Sequence, residues 1–449
     1  MGLKEDIYFR SPIFVQNILT SVYGKKLMRE RYGETYERII GELRTKGKVD
    51  YREEQLERLN TFLMFCQLHN EYYRDLFIKY DIRLPLQSLD ELKEIPVLEK
   101  ETLRTLNESF LSRIDAPLHG RTGGTSGKSL QVAFTIEDMQ ERMAHLDFFK
   151  EQHGFRKGMR RASFTGRTLT AMNQKKPIFW RTNRPLNQLL LSIFHLTDDN
   201  FPAYIEKLNA FQPTAIDGAP SGMAELAQYM VDHDIRFTFR PLAIFPTSET
   251  VTPEMRELIE RAFGAELFDQ YASSEGAPLI SECRNHKLHL HHETGIVEPY
   301  GEEGEVLVTC FTTRGTPLIR YRIGDRMTLT DETCSCGLNG PVIGSIDGRG
   351  TGYIVSEARG KVFEGDLTTI ARELPNSIRR LQVEQFAKDE VTLRYVPDEQ
   401  RFLPNHEKIL LREMHHLFGP EMKVTLEPVS RIPKEPNGKI LVVKQSMTV

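Results

Sequence analysis

The chain has 449 residues, 39% hydrophobic and 27% charged, enough for two or three domains with sizeable cores and too apolar for a disordered protein. A formal net charge of −4 offers no basic excess for nucleic acid, and the longest strongly apolar stretch, Leu189–Phe194, falls far short of the ~20 residues that span a bilayer. Five cysteines in so long a chain do not make a disulfide framework, and the start MGLKEDIYFRSP carries charge where a signal peptide needs an apolar run, so a soluble cytoplasmic protein is expected.

The first ~110 residues read as helices: Ser11–Tyr23, Tyr36–Leu43 and Asn60–Phe77 place apolar residues three and four apart among charges. Packing on a core is the plain reading of these helices. A membrane-surface role for the first is the alternative, because Tyr8, Phe9, Phe14, Val15, Ile18 and Leu19 lie beside Lys25, Lys26, Arg29 and Arg31. From residue 118 short apolar runs alternate with helical patterns: a strand at Leu130–Phe134, a helix at Ile136–Phe149 capped by Thr135, then Ala215–Asp217, Met223–Asp232, Leu242–Phe245, Pro253–Phe263 and Glu266–Phe268. This alternation predicts an α/β fold. Residues 284–347 are richer in strand and bear clustered Cys and His. A large domain, 1–347, therefore comprises a helical part (1–110), an α/β core (118–283) and that segment. A small α+β domain follows at 348–449, with strands near Arg380–Phe386, Val391–Val396 and Lys423–Pro428 and a helix at His406–Leu417.

The sharpest local feature is the run from Arg121 to Leu130, RTGGTSGKSL. Gly123, Gly124 and Gly127 let a backbone approach a phosphate closely, Thr122, Thr125 and Ser126 add donors, and Lys128 adds a positive charge. A Walker A loop is excluded, because Thr122 stands where its first glycine belongs and the run leads into a strand rather than a helix. Further motifs follow in order: Phe268–Gly276 (FDQYASSEG), Pro317–Arg326 (PLIRYRIGDR), Gly348-Arg349, and Arg431–Ile440 (RIPKEPNGKI).

Together these segments resemble the adenylate-forming superfamily of acyl- and aryl-CoA ligases, most closely its phenylacetate–CoA ligase-like branch, which includes capsular polysaccharide biosynthesis proteins. The resemblance runs from about residue 10 to 445 and implies a large domain of mixed sheets flanked by helices with a small mobile C-terminal lid. It implies that Thr122–Lys128 hold the ATP phosphates, that Tyr271 stacks on adenine beside Ser274, and that Glu275 binds Mg²⁺, a cation that prefers hard oxygen ligands. Asp325 would accept from the ribose hydroxyls, and Arg349 would face the nucleotide. Lys439 would bridge carboxylate and α-phosphate, with Lys434 as its local competitor. Two stretches, Gly218–Ser221 and Thr247–Glu249 (with Ser248 and Glu249), would line the acyl and nucleotide pockets, joined by Phe164, Trp180, His195 and Ala219. Ala272 for the usual Gly, and Gly350, Thr351 and Gly352 for the usual acidic hinge, depart from the pattern.

Cys283, Cys334 and Cys336 with one histidine make four N/S ligands, the preference of structural zinc. The resembling branch points to His289, and the C-x-x-H spacing to His286. Cys66 and Cys310 sit in apolar runs and are expected to be buried, while His291 and His292 are expected at the surface. The implied chemistry activates a small-molecule carboxylate as an acyl-adenylate, releases pyrophosphate and transfers the acyl group to a thiol, coenzyme A by analogy. The alternatives are an amine or carrier-protein acceptor, or a non-catalytic nucleotide-binding homologue. A dimer is compatible with all of them.

Overall fold

Helices α1 (Leu3–Arg10), α2 (Ile13–Arg31), α3 (Glu34–Thr45), α4 (Tyr51–His69) and α5 (Glu71–Lys79) open the chain. The computed structural model describes residues 3–106, 110–121, 130–171, 173–174, 176–301, 304–349, 353–358, 360–363, 367, 370, 374, 377–433 and 441–447. The pattern over Asn60–Phe77 reads as one helix but forms two. Asn70 ends α4 with an extended backbone, and its side chain accepts from the Tyr73 N–H (3.1 Å) to start α5.

The apolar faces of α4 and α5 (Leu59, Phe62, Leu63, Tyr73, Phe77) share one core with strand residues such as Val306, Val308, Leu318 and Tyr321. Tyr73 ties the two layers: its hydroxyl donates to the Pro317 carbonyl (3.1 Å) and accepts from the Ile319 N–H (3.2 Å). Removing that hydroxyl leaves two buried backbone groups without it, a loss of about 2–3 kcal/mol. Tyr73→Phe is therefore expected to lower the thermal midpoint by several degrees, and an unchanged melting curve would contradict the bridging role.

After α6 (Lys100–Leu106), strands β1 (Leu118–Arg121) and β2 (Gln131–Phe134) form a hairpin whose last pair is Arg121 and Gln131. Residues 122–129, the glycine-rich loop, lie outside the described residues. Helix α7 (Ile136–Gln152) begins as predicted at Thr135. The Thr135 Oγ1 accepts from the Asp138 N–H (2.9 Å), and the Asp138 carboxylate accepts from the Thr135 N–H (3.0 Å).

Strands β3 (Arg161–Thr165), β4 (Trp180–Asn183), β5 (Gln188–Ser192), β6 (Ala215–Gly218) and β7 (Ala243–Pro246) form a five-stranded sheet in the order β4-β5-β3-β6-β7. It is parallel except for edge strand β4. The runs Leu189–Leu191, Ile216 and Ala243–Phe245 are apolar because a parallel sheet is covered on both faces. Crossover helices α8 (Phe201–Phe211) and α9 (Pro220–Asp232) cover it, and α10 (Pro253–Phe263) packs on α9. The sequence Glu266–Phe268, predicted as a strand, makes only a bridge between Ile244 and Leu267 before the chain turns away.

Strands β8 (Gln270–Tyr271), β9 (Ile280–Glu282), β10 (Leu288–Leu290), β11 (Gly295–Tyr300), β12 (Glu305–Cys310), β13 (Leu318–Leu329) and β14 (Val342–Arg349) make a seven-stranded sheet in the order β11-β12-β13-β14-β10-β9-β8. Cys66 and Cys310 are buried, as expected.

The chain divides into two compact units: Met1–Ile323 with Met327–Ile346, and Gly324–Arg326 with Asp347–Val449. In the second unit β15 (Tyr353–Ser356) pairs with β16 (Gly360–Phe363). Strands β17 (Ile378–Ala387), β18 (Glu390–Pro397), β19 (Lys423–Pro428) and β20 (Val443–Gln445) form a sheet in the order β19-β18-β17-β20. Helix α11 (His406–Phe418) contributes Leu410, Met414 and Phe418 to a core with Val391, Leu393 and Tyr395. No helix among the described residues is long and apolar enough to cross a membrane.

Candidate functional site

Parallel strands β6 and β7 end side by side, and the loops leaving them interlock. Gly218 closes β6 with φ 117°, and a Cβ there would lie 2.0 Å from the Phe164 carbonyl oxygen, so only glycine lets the chain pass β3. The Thr247 N–H donates to the Gly218 carbonyl (2.9 Å), and the Glu249 carboxylate accepts from the Ser221 N–H (3.0 Å) in the first turn of α9. Ser248 between them takes a left-handed φ of 76°. The two segments predicted to line a pocket thus meet at the carboxyl ends of parallel strands, where open α/β sheets bind ligands.

The tyrosine-bearing segment joins them. The Gln270 side-chain amide donates to the Pro246 carbonyl (3.1 Å), which places Tyr271 beside the end of β7. Asp269, one residue earlier, accepts from the Gln270 N–H (2.7 Å), and burial pushes its pKa up to about 6. An unfolded Asp near 3.8 loses its proton first, so stability falls as pH rises from there through about 6 and then levels off. Asp269→Asn is accordingly expected to stabilise the protein by about 2 kcal/mol in mildly alkaline buffer. It should give little gain on the acid side of that window, as read from melting curves across pH.

Glu275 is fully buried, and the Lys100 ammonium at the start of α6 lies 3.3 Å from its Oε1. This carboxylate is a hard oxygen donor of the kind Mg²⁺ takes, and Lys100 balances its charge. Gly120 in the hairpin passes close to the same segment: a Cβ there would lie 2.6 Å from the Ser274 carbonyl oxygen. The hairpin that carries the glycine-rich loop is therefore fastened beside the Tyr271–Gly276 segment. Between hairpin, α7 and that segment lies a cavity of about 430 Å³, whose wall includes Phe134, Met139, Met143, Arg142 and Ser274. Among the described residues the Arg142 guanidinium meets the neutral oxygens of Ala277 (3.5 Å), Thr312 (3.4 Å) and Ser273 (3.5 Å), and stands over the Phe134 ring. Burial holds its pKa below the ordinary arginine value. Sequence reasoning missed Lys100 and Arg142, since a lone cation in a helix carries no motif.

Phe164, His195 and Ala219, expected in the pocket, lie around the five-stranded sheet. Phe164 and Ala219 belong to its buried core, and His195 stacks on Phe179 with its Nδ1 3.0 Å from Ser192 Oγ. Trp180 packs against the same core. Asp325 is buried on β13, and Arg349 ends β14. The Arg349 side chain, Gly350, Thr351, Gly352, Lys434 and Lys439 lie outside the described residues, as do Thr122, Gly123, Gly124, Thr125, Ser126, Gly127 and Lys128.

The cysteine cluster is compact. One donor atom each from Cys283, His289, Cys334 and Cys336 lies within 4.8 Å of every other. The Cys283 and Cys334 sulfurs are 3.7 Å apart, and Cys336 Sγ is 3.4 Å from His289 Nε2. A tetrahedral zinc with Zn–S near 2.3 Å and Zn–N near 2.05 Å requires separations of about 3.8 Å and about 3.6 Å, so the donor set and spacing suit that ion. Backbone N–H groups of Asn285 and Leu338 point at the Cys283 and Cys336 sulfurs (both 3.4 Å), as suits thiolates. Burial keeps His289 below the usual histidine pKa, hence neutral and able to ligate. His286 turns the other way, its φ being 54°, its Nδ1 2.9 Å from Glu282 and its ring stacked on Phe268.

His291 and His292, expected at the surface, are buried. His291 lies 2.7 Å from Ser281 Oγ and His292 lies 2.9 Å from Glu54, whose carboxylate also meets Lys46. For His292 the partners that make burial tolerable, Glu54 on α4 and Lys46 just beyond α3, are far away in sequence, which is why the local pattern misled.

Residues 354–446 match the family profile of the CapK C-terminal domain. Protein CapK of Staphylococcus aureus is 35% identical over 438 residues, covering 96% of this chain and 97% of that relative. A phenylacetate-coenzyme A ligase of Thermus thermophilus is 22% identical, covering 89% of this chain and 97% of its own length. Among solved structures, 2-hydroxyisobutyryl-CoA ligase in the postadenylation state, in complex with R3-HIB-AMP, matches with a TM-score of 0.68 at 17% identity, covering 86% of this chain and 87% of that one. The mixed sheets flanked by helices are thus the fold of adenylate-forming ligases, and the chain belongs to the CapK family.

Proposed function

We propose that the protein is an AMP-forming acid–thiol ligase. It would join a small carboxylic acid to the α-phosphate of ATP, release pyrophosphate, and transfer the acyl group to a thiol, with coenzyme A as acceptor. The observation that carries this reading is the meeting of Gly218–Ser221, Thr247–Glu249 and Phe268–Gly276 at the ends of β6 and β7, beside the hairpin that bears the glycine-rich loop. The likeness to a phenylacetate-coenzyme A ligase and to a CoA-ligase fold supports it.

In this reading the amides and hydroxyls of Thr122–Lys128 receive the phosphates, Tyr271 and Ser274 hold the adenine end, and Asp325 and Arg349 the ribose and its neighbourhood. Ser248 and Glu249 order the strand-end loops around the nucleotide. The acid enters as a carboxylate, one of whose oxygens attacks the α-phosphorus while the bond to the pyrophosphate oxygen breaks. Lys439 neutralises the charge that develops there. Arg142 supplies a second cation at the cavity wall. Mg²⁺, which Glu275 would help to hold, neutralises phosphate charge when bound. Cys283, His289, Cys334 and Cys336 would hold a zinc with four protein donors and leave no open position, so the ion would serve as a staple rather than a reactant.

Carboxylate-dependent ATP–pyrophosphate exchange over a panel of aryl and aliphatic acids tests the first half-reaction. Exchange with one acid class is expected, followed by thioester formation on adding coenzyme A. Tight ATP binding without exchange for any acid would sink the ligase reading. Exchange with product formed only from amines would replace the acceptor.

A further inference from the structure

Helix α2 is seated inside out. The side it turns to the protein is polar: Gln16 accepts from the Arg181 guanidinium (2.7 Å), Asn17 from the Thr182 N–H (2.9 Å) and Ser21 from the Arg184 N–H (3.3 Å). Gly24 allows the close approach, since a Cβ there would lie 1.9 Å from the Asn183 side-chain oxygen. On the opposite side apolar residues point away, while Ile13, Val15 and Leu27 are half-buried. Phe14 is 66% exposed, Ile18 56% and Val22 60%, with Leu19 and Tyr23 exposed beside them. Positions 14, 18 and 22 are four apart and form one stripe about 12 Å long. The same face continues toward the C-terminus into exposed Lys25, Lys26 and Arg29. Between residues 13 and 29 there is no Asp or Glu; the first acid, Glu30, lies 3.5 Å from Lys26.

A soluble surface helix normally buries its apolar stripe, so this arrangement calls for something to cover it. A second copy of the chain meets an electrostatic obstacle. Paired antiparallel, each helix would lay Lys25, Lys26 and Arg29 over the other's apolar stripe; paired parallel, the cations would face one another. In either case the one acid within residues 13–31, Glu30, already lies 3.5 Å from Lys26 of its own helix. An anionic bilayer surface satisfies both halves, taking the aromatic and aliphatic side chains into the acyl boundary and the lysines and arginine onto headgroup phosphates.

We infer that the exposed face of α2 docks the protein, lying flat, on a membrane surface rich in anionic phospholipid. The inference goes beyond the proposed ligase activity and stands whether or not that activity is found. It takes up the membrane-surface alternative for the first helix, whose apolar residues at 14, 18 and 22 are exposed.

The experiment is co-sedimentation of the full chain with vesicles of phosphatidylcholine alone or mixed with phosphatidylglycerol. Binding to the mixed vesicles, weakened by salt, is expected. Reversal of all three cations (Lys25→Glu, Lys26→Glu, Arg29→Glu) should weaken it by roughly a hundredfold, at about 1 kcal/mol per basic residue. The combination Phe14→Asp, Ile18→Asp and Val22→Asp should abolish it while circular dichroism and thermal midpoint hold, because α2 is anchored through its other face. Absence of binding, or equal binding to neutral vesicles, overturns the inference. So does a dimer in solution that those aspartates dissociate when no vesicle binding is seen, which would give the face to a second copy.

Discussion

Replacing Lys439 by alanine is expected to reduce acid-dependent ATP–pyrophosphate exchange by about 10²–10³-fold while ATP binding persists. The reasoning is chemical. As the acid oxygen approaches the α-phosphorus, negative charge accumulates on the bridging and non-bridging oxygens, and a dry ammonium placed there is worth far more in the transition state than in the ground state. Lys434 is the informative control. Both lysines sit in RIPKEPNGKI, but only Lys439 directly follows a glycine, Gly438, as in the loop it resembles. Lys434→Ala should leave exchange within a fewfold of wild type. If instead Lys434→Ala is the damaging change, the lysine has been misassigned; if neither matters, the adenylation chemistry proposed for this chain is wrong.

The second large effect concerns the Cys283–His289–Cys334–Cys336 cluster. Metal analysis of purified protein should find about one zinc per chain, and Cys336→Ala should lose it. Because the ion would tie the turn at 283–289 to the segment at 334–336, its removal takes away a cross-link between stretches far apart in sequence and leaves thiols crowded at 3.7 Å. A cost on the order of 4 kcal/mol corresponds to a thermal midpoint lowered by about 10 °C. His286→Ala separates the two histidines: zinc content should stay unchanged, and the only losses should be the Glu282 contact and the Phe268 stack. Full metal loss in His286→Ala would reverse the assignment.

What could be read from the sequence was local. Thr135 with Asp138 three residues on marks the start of α7, and Pro253 with Gly264 brackets α10, because caps are made by neighbours in the chain. Of the parallel strands, β6 and β7 were legible as the short runs Ala215–Asp217 and Leu242–Phe245, whereas β3, with the sequence RASFT, carries no comparable apolar run. What could not be read depends on partners far away. Cys-to-His spacing cannot choose between His286 and His289, since the choice is made by β10, which pairs His289 with Ser281 and Val342 while His286 sits in the preceding turn. His292 looks solvent-facing until α4 supplies Glu54 and the chain beyond α3 supplies Lys46, and His291 until it meets Ser281 and the His145 of α7. For α2 the periodic pattern was real but its direction was inverted, because Gln16, Asn17 and Ser21 found hydrogen-bonding partners at β4 and the following turn that apolar residues could not have used.

The carboxylate of Glu249 on the first turn of α9 has one more implication. A helix N-terminus at the end of a parallel strand is an obvious berth for an incoming anion, yet here the Ser221 amide is already occupied by the protein's own side chain. Any acidic ligand reaching this terminus must evict an internal rival. Selectivity at this berth is thus a contest of displacement, in which weakly basic anions lose.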